Sequence, residues 1–268
     1  MTKTESHIDS TLAALINPRK ANILPLGLQT ILLFGRPGSG KTGIGAGFPN
    51  HLYLDLENSA TAHDIDEITL PTWEAFVSFV TDVDAGVINL GDKQTLIIDT
   101  VNDLWKLCRQ SAFRKLKIED ASAGEFGSGF IVPRQMFKDA VDTLLGLSKK
   151  GILGTVFIAH EIEEVTTAGN VKVTIARPEI DDKVLPNFIA AKPQMVLRTF
   201  ISDVNPTTQV PFTEADADGI QRAKAKWLIQ ATPENASASV KDRTKRLPAY
   251  LAASYDSLNK QYTKKGNK

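Results

Sequence analysis

One eight-residue segment constrains the fold of this chain more than any other part of the sequence. It fits the pattern G-x-x-x-x-G-K-[ST] and consists of Gly35, Arg36, Pro37, Gly38, Ser39, Gly40, Lys41 and Thr42. The apolar run at residues 30–34 precedes it and predicts a buried strand, and a helix is expected to follow. Glycines let such a loop curl until its backbone N–H groups point inward at phosphate oxygens. The segment therefore predicts a phosphate-binding loop between a strand and a helix of an α/β fold.

The end of this loop also predicts which ligands the site takes. Lys41 would neutralise the β- and γ-phosphates of a nucleoside triphosphate, and the Thr42 hydroxyl would bind Mg²⁺. Asp99 ends a later apolar strand, where a carboxylate holds Mg²⁺, usually through a water. An Asp after Leu-Ile-Ile is also often only a strand-end cap. We expect ATP and Mg²⁺ as ligands, with Thr42 and Asp99 at the metal.

Hydrolysis of the triphosphate needs a base or an orienting group for the attacking water. The residue directly after Asp99 is Thr100, which cannot serve as a base. Glu57 ends the strand predicted at residues 51–57 and is the candidate, the alternative being a solvated carboxylate. His160 closes another predicted strand, and parallel sheets collect their sites at the carboxyl ends of strands. We expect His160 to sense the γ-phosphate; the alternative is a histidine bound to nearby backbone.

Strands and helices alternate along the first two thirds of the chain. The helix after the loop is expected to be short because glycine and proline weaken it, at Gly43, Gly45, Gly47 and Pro49. Further strands are predicted at residues 95–100 and 154–160, and helices at about 72–80, 101–117 and 134–149. Shorter strands follow at residues 171–175, 195–201 and 225–230. This pattern predicts an α/β fold with a mainly parallel sheet covered by helices, plus shorter C-terminal strands.

The simplest division of the chain has a single folded domain. Residues 1–25 are interpreted as a lead-in with a short helix at residues 10–16, residues 26–250 as an ATPase domain, and residues 251–268 as a basic tail. Segment 221–268 holds eleven Lys/Arg and three Asp/Glu, a net charge of +8 in a chain whose overall net charge is zero. A basic end on an acidic body indicates either a surface for a polyanion or a solvated tail.

Composition favours a protein of a reducing, aqueous compartment. The 268 residues are 42% hydrophobic and 23% charged, which suits one large domain. Cys108 is the only cysteine, so an internal disulfide is excluded. The N-terminus has no apolar secretory core, and no run approaches the length needed to span a membrane. We expect a cytoplasmic protein with no membrane partner.

Lys241 and Arg243 flank an acidic residue far along the chain from the phosphate-binding loop. Two cations around one acid can be a surface pair of little consequence. They can also reach the γ-phosphate bound by a neighbouring subunit, as an arginine finger does. The second interpretation predicts an ATPase that works only as an assembly.

Together these motifs resemble the RecA-like P-loop ATPases, and more closely the phage-encoded Sak-type ATPases of single-strand annealing. The likeness covers about residues 28–250 and rests on segments 35–42, 54–57, 97–100, 125–130, 158–161 and 241–248. It implies a RecA-like core, with Glu57 as the catalytic glutamate and His160 in place of the γ-phosphate sensor, usually a glutamine. Lys241 and Arg243 would form the finger of a homo-oligomeric ring or filament. The compartment would be the bacterial host cell if a phage encodes the protein.

The resemblance also implies that two loops face single-stranded DNA, at about residues 119–133 and 161–174. In the first loop, glycines would permit close approach of the backbone, and Phe126 and Phe130 would stack on bases. The second loop is acidic, which argues against a strong grip on phosphates. Basic residues near the C-terminus, Lys245 and Arg246, are candidates to compensate.

Three functions fit these features. The first is an ATPase stimulated by single-stranded DNA that anneals or pairs strands in recombination, with a single-strand-binding protein as a further partner. The second is an ATP-driven switch or loader that acts on a protein. The third is a small-molecule kinase, which usually carries an arginine-rich lid, and the sequence offers no such lid.

Overall fold

The computed structural model describes residues 23–58, 63–168, 171–233 and 238–264. The strands are β1 (Thr30–Gly35), β2 (His51–Asp55), β3 (Thr95–Asp99), β4 (Gly154–Ala168), β5 (Val171–Pro178), β6 (Met195–Ser202), β7 (Thr213–Ala215), β8 (Gln221–Ala223), β9 (Lys226–Gln230), β10 (Lys241–Asp242) and β11 (Tyr250–Ala252). The α-helices are α1 (Lys41–Ala46), α2 (Trp73–Asp84), α3 (Val101–Leu116), α4 (Ser128–Lys149), α5 (Leu185–Ala191) and α6 (Tyr255–Thr263). Short 3₁₀ turns occur at Leu26–Leu28, Ala121–Ala123 and Glu125–Gly127. The helix predicted at residues 10–16 lies outside the described residues.

One large sheet organises the molecule, in the spatial order β11-β9-β6-β1-β4-β3-β2. Its five strands β6, β1, β4, β3 and β2 run parallel to one another. The C-terminal strands β9, β10 and β11 add to it in antiparallel orientation. The predicted α/β fold with a mainly parallel sheet and extra C-terminal strands is therefore confirmed.

Helices cover both faces of this sheet, which is why its central strands are apolar throughout rather than alternating with polar residues. On β1, Leu32 and Phe34 pack into a cluster with α2, α3, α4 and α5. Ile31 and Leu33 point the other way and pack with α1 and α6. All six residues of β1 are buried, so the loop that follows it starts from a rigid position.

Helix α4 begins at Ser128, six residues before its predicted start at residue 134. The glycines of segment 124–129 and Pro133 are typical of a loop, which explains the misplaced boundary. Gly129 has another reason to be glycine: a Cβ there would stand 2.3 Å from the backbone oxygen of Ala121. The close approach of two backbones, and not loop flexibility, requires this glycine.

The second predicted DNA loop, residues 161–174, is a β-hairpin and not a loop. Strand β4 continues past the parallel sheet, and its outer half pairs with β5 in antiparallel register, from Glu161 opposite Pro178 to Ala168 opposite Val171. The two strands form because the segment is rich in β-branched residues, which favour extended structure. We refer to this element, residues 161–168 and 171–178, as the β4–β5 hairpin.

The folded unit continues past residue 250, which is the predicted boundary between the ATPase domain and a basic tail. Leu251 on β11 and both Leu258 and Tyr262 on α6 are buried. The Tyr262 hydroxyl donates a hydrogen bond to the Leu24 carbonyl, 2.8 Å away, and so joins the two ends of the described chain. Residues 251–263 thus belong to the folded unit, because β11 pairs with β9 and the apolar residues of α6 form one face of a capped helix. No helix in the described part of the chain is long and apolar enough to cross a membrane.

Candidate nucleotide site

The predicted phosphate-binding loop connects β1 to α1 and has a conformation that only glycines tolerate. Gly38 and Gly40 have φ values of +74° and +89°. Gly35 faces Thr199 on β6, and a Cβ at Gly35 would stand 2.2 Å from the Thr199 hydroxyl oxygen. Ser39 and Thr199 are joined by a hydrogen bond of 2.7 Å between their hydroxyl oxygens. The loop is thus a cradle of backbone held against the neighbouring strand, which fits a phosphate chain.

Lys41 lies inside this cradle and is 6% exposed. Its ammonium donates to the carbonyls of Gly35, at 2.9 Å, and Arg36, at 3.0 Å. Burial lowers the pKa of Lys41, and the negative charges of Asp99, Glu57 and Glu161 oppose that shift. A buried cation that faces carboxylates is suited to an anion that arrives with its own divalent metal.

Thr42 and Asp99 meet although 57 residues separate them in sequence. The Thr42 hydroxyl donates to Asp99 Oδ2 at 3.1 Å, and the Tyr53 hydroxyl donates to the same oxygen at 2.7 Å. Burial raises the pKa of the Asp99 carboxyl, and these two hydrogen bonds oppose the shift. Hydroxyl and carboxylate oxygens are the ligands that Mg²⁺ prefers, so this pair fits the predicted metal.

Glu57 and His160 also come together, across the end of β3. His160 lies beside Gly35 in the β1–β4 register, and its Nε2 is 2.7 Å from Glu57 Oε1. The other ring nitrogen, Nδ1, is buried and has no hydrogen-bond partner among the described residues. The structure therefore places both predicted residues at the carboxyl end of the sheet, next to the loop and Asp99, as expected for a site in a parallel sheet.

Lys241 and Arg243 lie near the amino ends of the parallel strands, whereas the loop lies at their carboxyl ends. Strand β10 pairs with Met195 and Val196, at the amino end of β6, whereas the loop contacts the carboxyl half of β6. The Lys241 ammonium donates to the carbonyls of Ala190 and Ala191 at 2.6 and 2.7 Å, and Arg243 donates to Ala191 at 2.6 Å. Both cations thus stabilise the carboxyl end of α5. Burial, then the charge of Arg243, lowers the pKa of Lys241 to about 8.

The acidic residues of the β4–β5 hairpin are paired with arginines. Arg198 binds Glu161 through two hydrogen bonds of 2.7 and 2.8 Å, and Arg36 of the loop lies 3.6 Å from the same carboxylate. Arg36 also donates to Glu163, and Glu164 forms an ion pair with Arg177. The hairpin is therefore attached to the phosphate-binding loop, and the acidity that argued against a DNA contact is offset locally.

Sequence reasoning missed three side chains at this site: Tyr53 at Asp99, Thr199 at Gly35, and Trp227. The Trp227 indole N–H donates to the Gly38 carbonyl at 3.1 Å. Tyr53 and Thr199 lie in apolar strands, where period-two alternation is the only local signal and gives them no distinguishing mark. Register between distant strands brings all three to the loop, and the sequence does not show that register.

The glycines of α1 are explained by packing. A Cβ at Gly45 would lie 3.1 Å from Ile97, and one at Gly47 would lie 2.8 Å from the Cβ of Tyr255. The helix is short, as expected, and it lies close against β3 and α6. Its small residues thus bring the Thr42 hydroxyl to Asp99.

Comparison with known proteins assigns the family. A family model described as an AAA domain matches residues 28–219. This range includes the loop, Glu57, Asp99 and His160, and it ends before β9 and β10. A search of curated proteins gave no match. Because the family match covers most of the chain and contains the nucleotide site just described, the chain belongs to the AAA-domain family of P-loop ATPases.

Proposed function

We propose that this P-loop ATPase acts on single-stranded DNA as a homo-oligomer, in annealing or homologous recombination. The observation that carries the proposal is the physical link between the nucleotide site and the β4–β5 hairpin, through Glu161 and Arg36. The hairpin continues from the strand that bears His160. It is joined by a second observation, the exposed aromatic side chains of segment 119–133.

The proposed chemistry is hydrolysis of the γ-phosphate of ATP. Glu57 accepts a proton from the attacking water, and His160 holds the Glu57 carboxylate in place through its Nε2. Lys41 binds the β- and γ-phosphates. Thr42 and Asp99 hold Mg²⁺, which when bound offsets the negative charge of the phosphates. Each of these roles uses a side chain at the carboxyl end of the parallel strands.

The segment 119–133 offers an apolar surface to a ligand. Phe126 is 99% exposed, and Phe130 and Ile131 are also exposed. Gly124 and Gly129 fix this surface, because a Cβ at Gly124 would stand 2.4 Å from the Gly129 nitrogen. Exposed aromatic side chains on such a fixed backbone can stack on bases without regard to base sequence.

The β4–β5 hairpin gives a route from such a ligand to the nucleotide. Its first residue, Glu161, follows His160 directly and binds both Arg198 and Arg36. A ligand that moves the hairpin would therefore shift the partner of Glu57 and a residue of the phosphate-binding loop. This connection supports a hydrolysis rate that depends on DNA.

The test is ATP turnover with and without single-stranded DNA at low salt. We expect several-fold stimulation by oligo(dT) in the wild-type protein, because base stacking contributes about 1–3 kcal/mol per base. Phe126→Ala should lower this stimulation and leave basal turnover unchanged, whereas the matched control Ile220→Ala, also exposed, should behave as wild type. A flat response over a wide range of DNA concentrations would contradict the proposal.

One observation favours a protein partner as the second candidate. The segment 119–133 contains Glu119, Asp120 and Glu125 but no lysine or arginine, so its apolar surface lacks the cations that usually bind phosphates. The function would then be an ATP-driven switch or loader. Turnover that ignores DNA, together with a protein captured by wild type and lost in Phe126→Ala, would support this candidate.

The oligomer is tested by mixing two variants that each have impaired hydrolysis. Lys241 and Arg243 lie far from the phosphate-binding loop of their own chain, so a finger role requires a neighbouring subunit. Arg243→Ala is expected to bind Mg·ATP normally and to hydrolyse it at least about tenfold more slowly. Mixing it with Glu57→Ala should restore part of the turnover, since some interfaces then combine an intact Glu57 with an intact Arg243.

Thermal unfolding provides the control for this mixing experiment, because Arg243 also caps α5. Similar unfolding temperatures of wild type and Arg243→Ala would exclude a folding defect. Mixtures no more active than the separate variants would count against a finger that acts between subunits.

A further inference from the structure

The order of strands fixes the direction in which a nucleotide lies across the site. Asp99, Glu57 and His160 are on the side of the phosphate-binding loop formed by β4, β3 and β2. If hydrolysis takes place there, as the proposed function requires, the γ-phosphate points to that side. The phosphate chain is linear, so the nucleoside leaves the loop on the other side, where β6 and β9 lie.

Trp227 is an aromatic residue on that other side, and its side chain contacts the loop. It is the second residue of β9 and pairs with Ile201 on β6, and both residues are about half exposed, at 50% and 49%. Its indole N–H binds the Gly38 carbonyl, and a Cβ at Gly40 would be 3.7 Å from its Cδ1. An aromatic ring is thus fixed against the tip of the loop and still has apolar surface open to a ligand.

We propose that Trp227, with Ile201 beside it, forms the platform on which the nucleobase of the bound triphosphate stacks. The indole face attracts any flat aromatic ring, and the hydrogen bond to Gly38 keeps the indole in one orientation, so little side-chain entropy is lost on binding. Stacking rewards ring area, which favours purines over pyrimidines. Trp227 lies beyond residue 219, where the match to the AAA domain ends, so the platform is contributed by the C-terminal strands.

The same contact with Gly38 allows a second role for Trp227, in which the indole only supports the loop. The two roles differ in the part of the nucleotide whose binding depends on Trp227, either the base or the phosphates. A base platform contributes to binding of ATP but not of inorganic tripolyphosphate, which has no base. A support for the loop contributes equally to both ligands, because both bind through phosphates.

Equilibrium titration of the full chain with both ligands in the presence of Mg²⁺ separates these roles. Trp227→Ala is expected to weaken Mg·ATP about tenfold and to leave Mg·tripolyphosphate unchanged, and Trp227→Phe should keep most of the ATP affinity. Ile220→Ala serves as the control for loss of an exposed apolar side chain. Equal losses for both ligands, or no loss for either, would overturn the platform.

Intrinsic fluorescence adds a readout that does not depend on activity. Trp73 and Trp105 are buried, so Trp227 is the one exposed tryptophan of the three in the chain. Mg·ATP should change the emission of wild type and have little effect on Trp227→Phe. If wild type binds neither ATP nor tripolyphosphate, the proposed function itself is wrong; if it binds both and Trp227→Ala changes neither, only the platform is wrong.

Discussion

Glu57→Gln is expected to slow steady-state ATP hydrolysis at least about a hundredfold while Mg·ATP affinity stays within about twofold of wild type. Glutamine has nearly the size and shape of glutamate and can still contact His160 Nε2. It cannot accept a proton from the attacking water. The change therefore removes an interaction that matters in the transition state and retains those of the bound nucleotide.

Phosphate release and a binding titration on the same preparation measure the two effects separately. The matched control is Glu67→Gln, which changes an exposed glutamate and should leave turnover unaltered. A Glu57→Gln protein with near wild-type turnover would mean that another group activates the water. In that case the contact with His160 would have only a structural role.

Lys41→Ala is expected to lower the affinity for Mg·ATP by a factor of at least about one hundred, because charge-assisted hydrogen bonds to phosphate are lost in a buried site. The neighbouring carboxylates Asp99 and Glu161 increase this effect, since their repulsion of the phosphates is then no longer offset. The lost ammonium also leaves the carbonyls of Gly35 and Arg36 without their donor, so a lower unfolding temperature should accompany the loss of binding.

Titration calorimetry measures this loss, and Lys115→Ala is the control for removal of an exposed lysine. The unfolding temperature shows whether the variant remains folded at the temperature of the titration. Unchanged affinity in a folded Lys41→Ala protein would mean that the nucleotide, if it binds, does so away from this loop.

The sequence was most informative where the physical constraint is local. The spacing of Gly35, Gly40, Lys41 and Thr42 predicted the loop, and apolar periodicity predicted the parallel strands around it. Asp99 was found in the same way, because a carboxylate that follows three buried apolar residues is conspicuous. These features depend on backbone geometry over a few residues, which residue type reveals directly.

Contacts between distant residues were not predictable in this way. The hydrogen bond from Tyr53 to Asp99, the placement of Trp227 at Gly38 and the pairing of Arg198 with Glu161 all depend on strand order and register. The resemblance predicts a loop at residues 161–174, whereas the structure has the β4–β5 hairpin there. The early start of α4 was missed because Gly129 is typical of loops, although a backbone contact requires it.

Binding of a nucleoside triphosphate to the phosphate-binding loop is tested by a calorimetric titration of the wild-type protein with Mg·ATP. We expect a saturable heat that corresponds to one nucleotide per chain and that disappears when Lys41 is replaced with alanine. Absence of any heat from the folded wild-type protein, together with no release of phosphate from ATP, would contradict the central claim that this loop binds a nucleoside triphosphate.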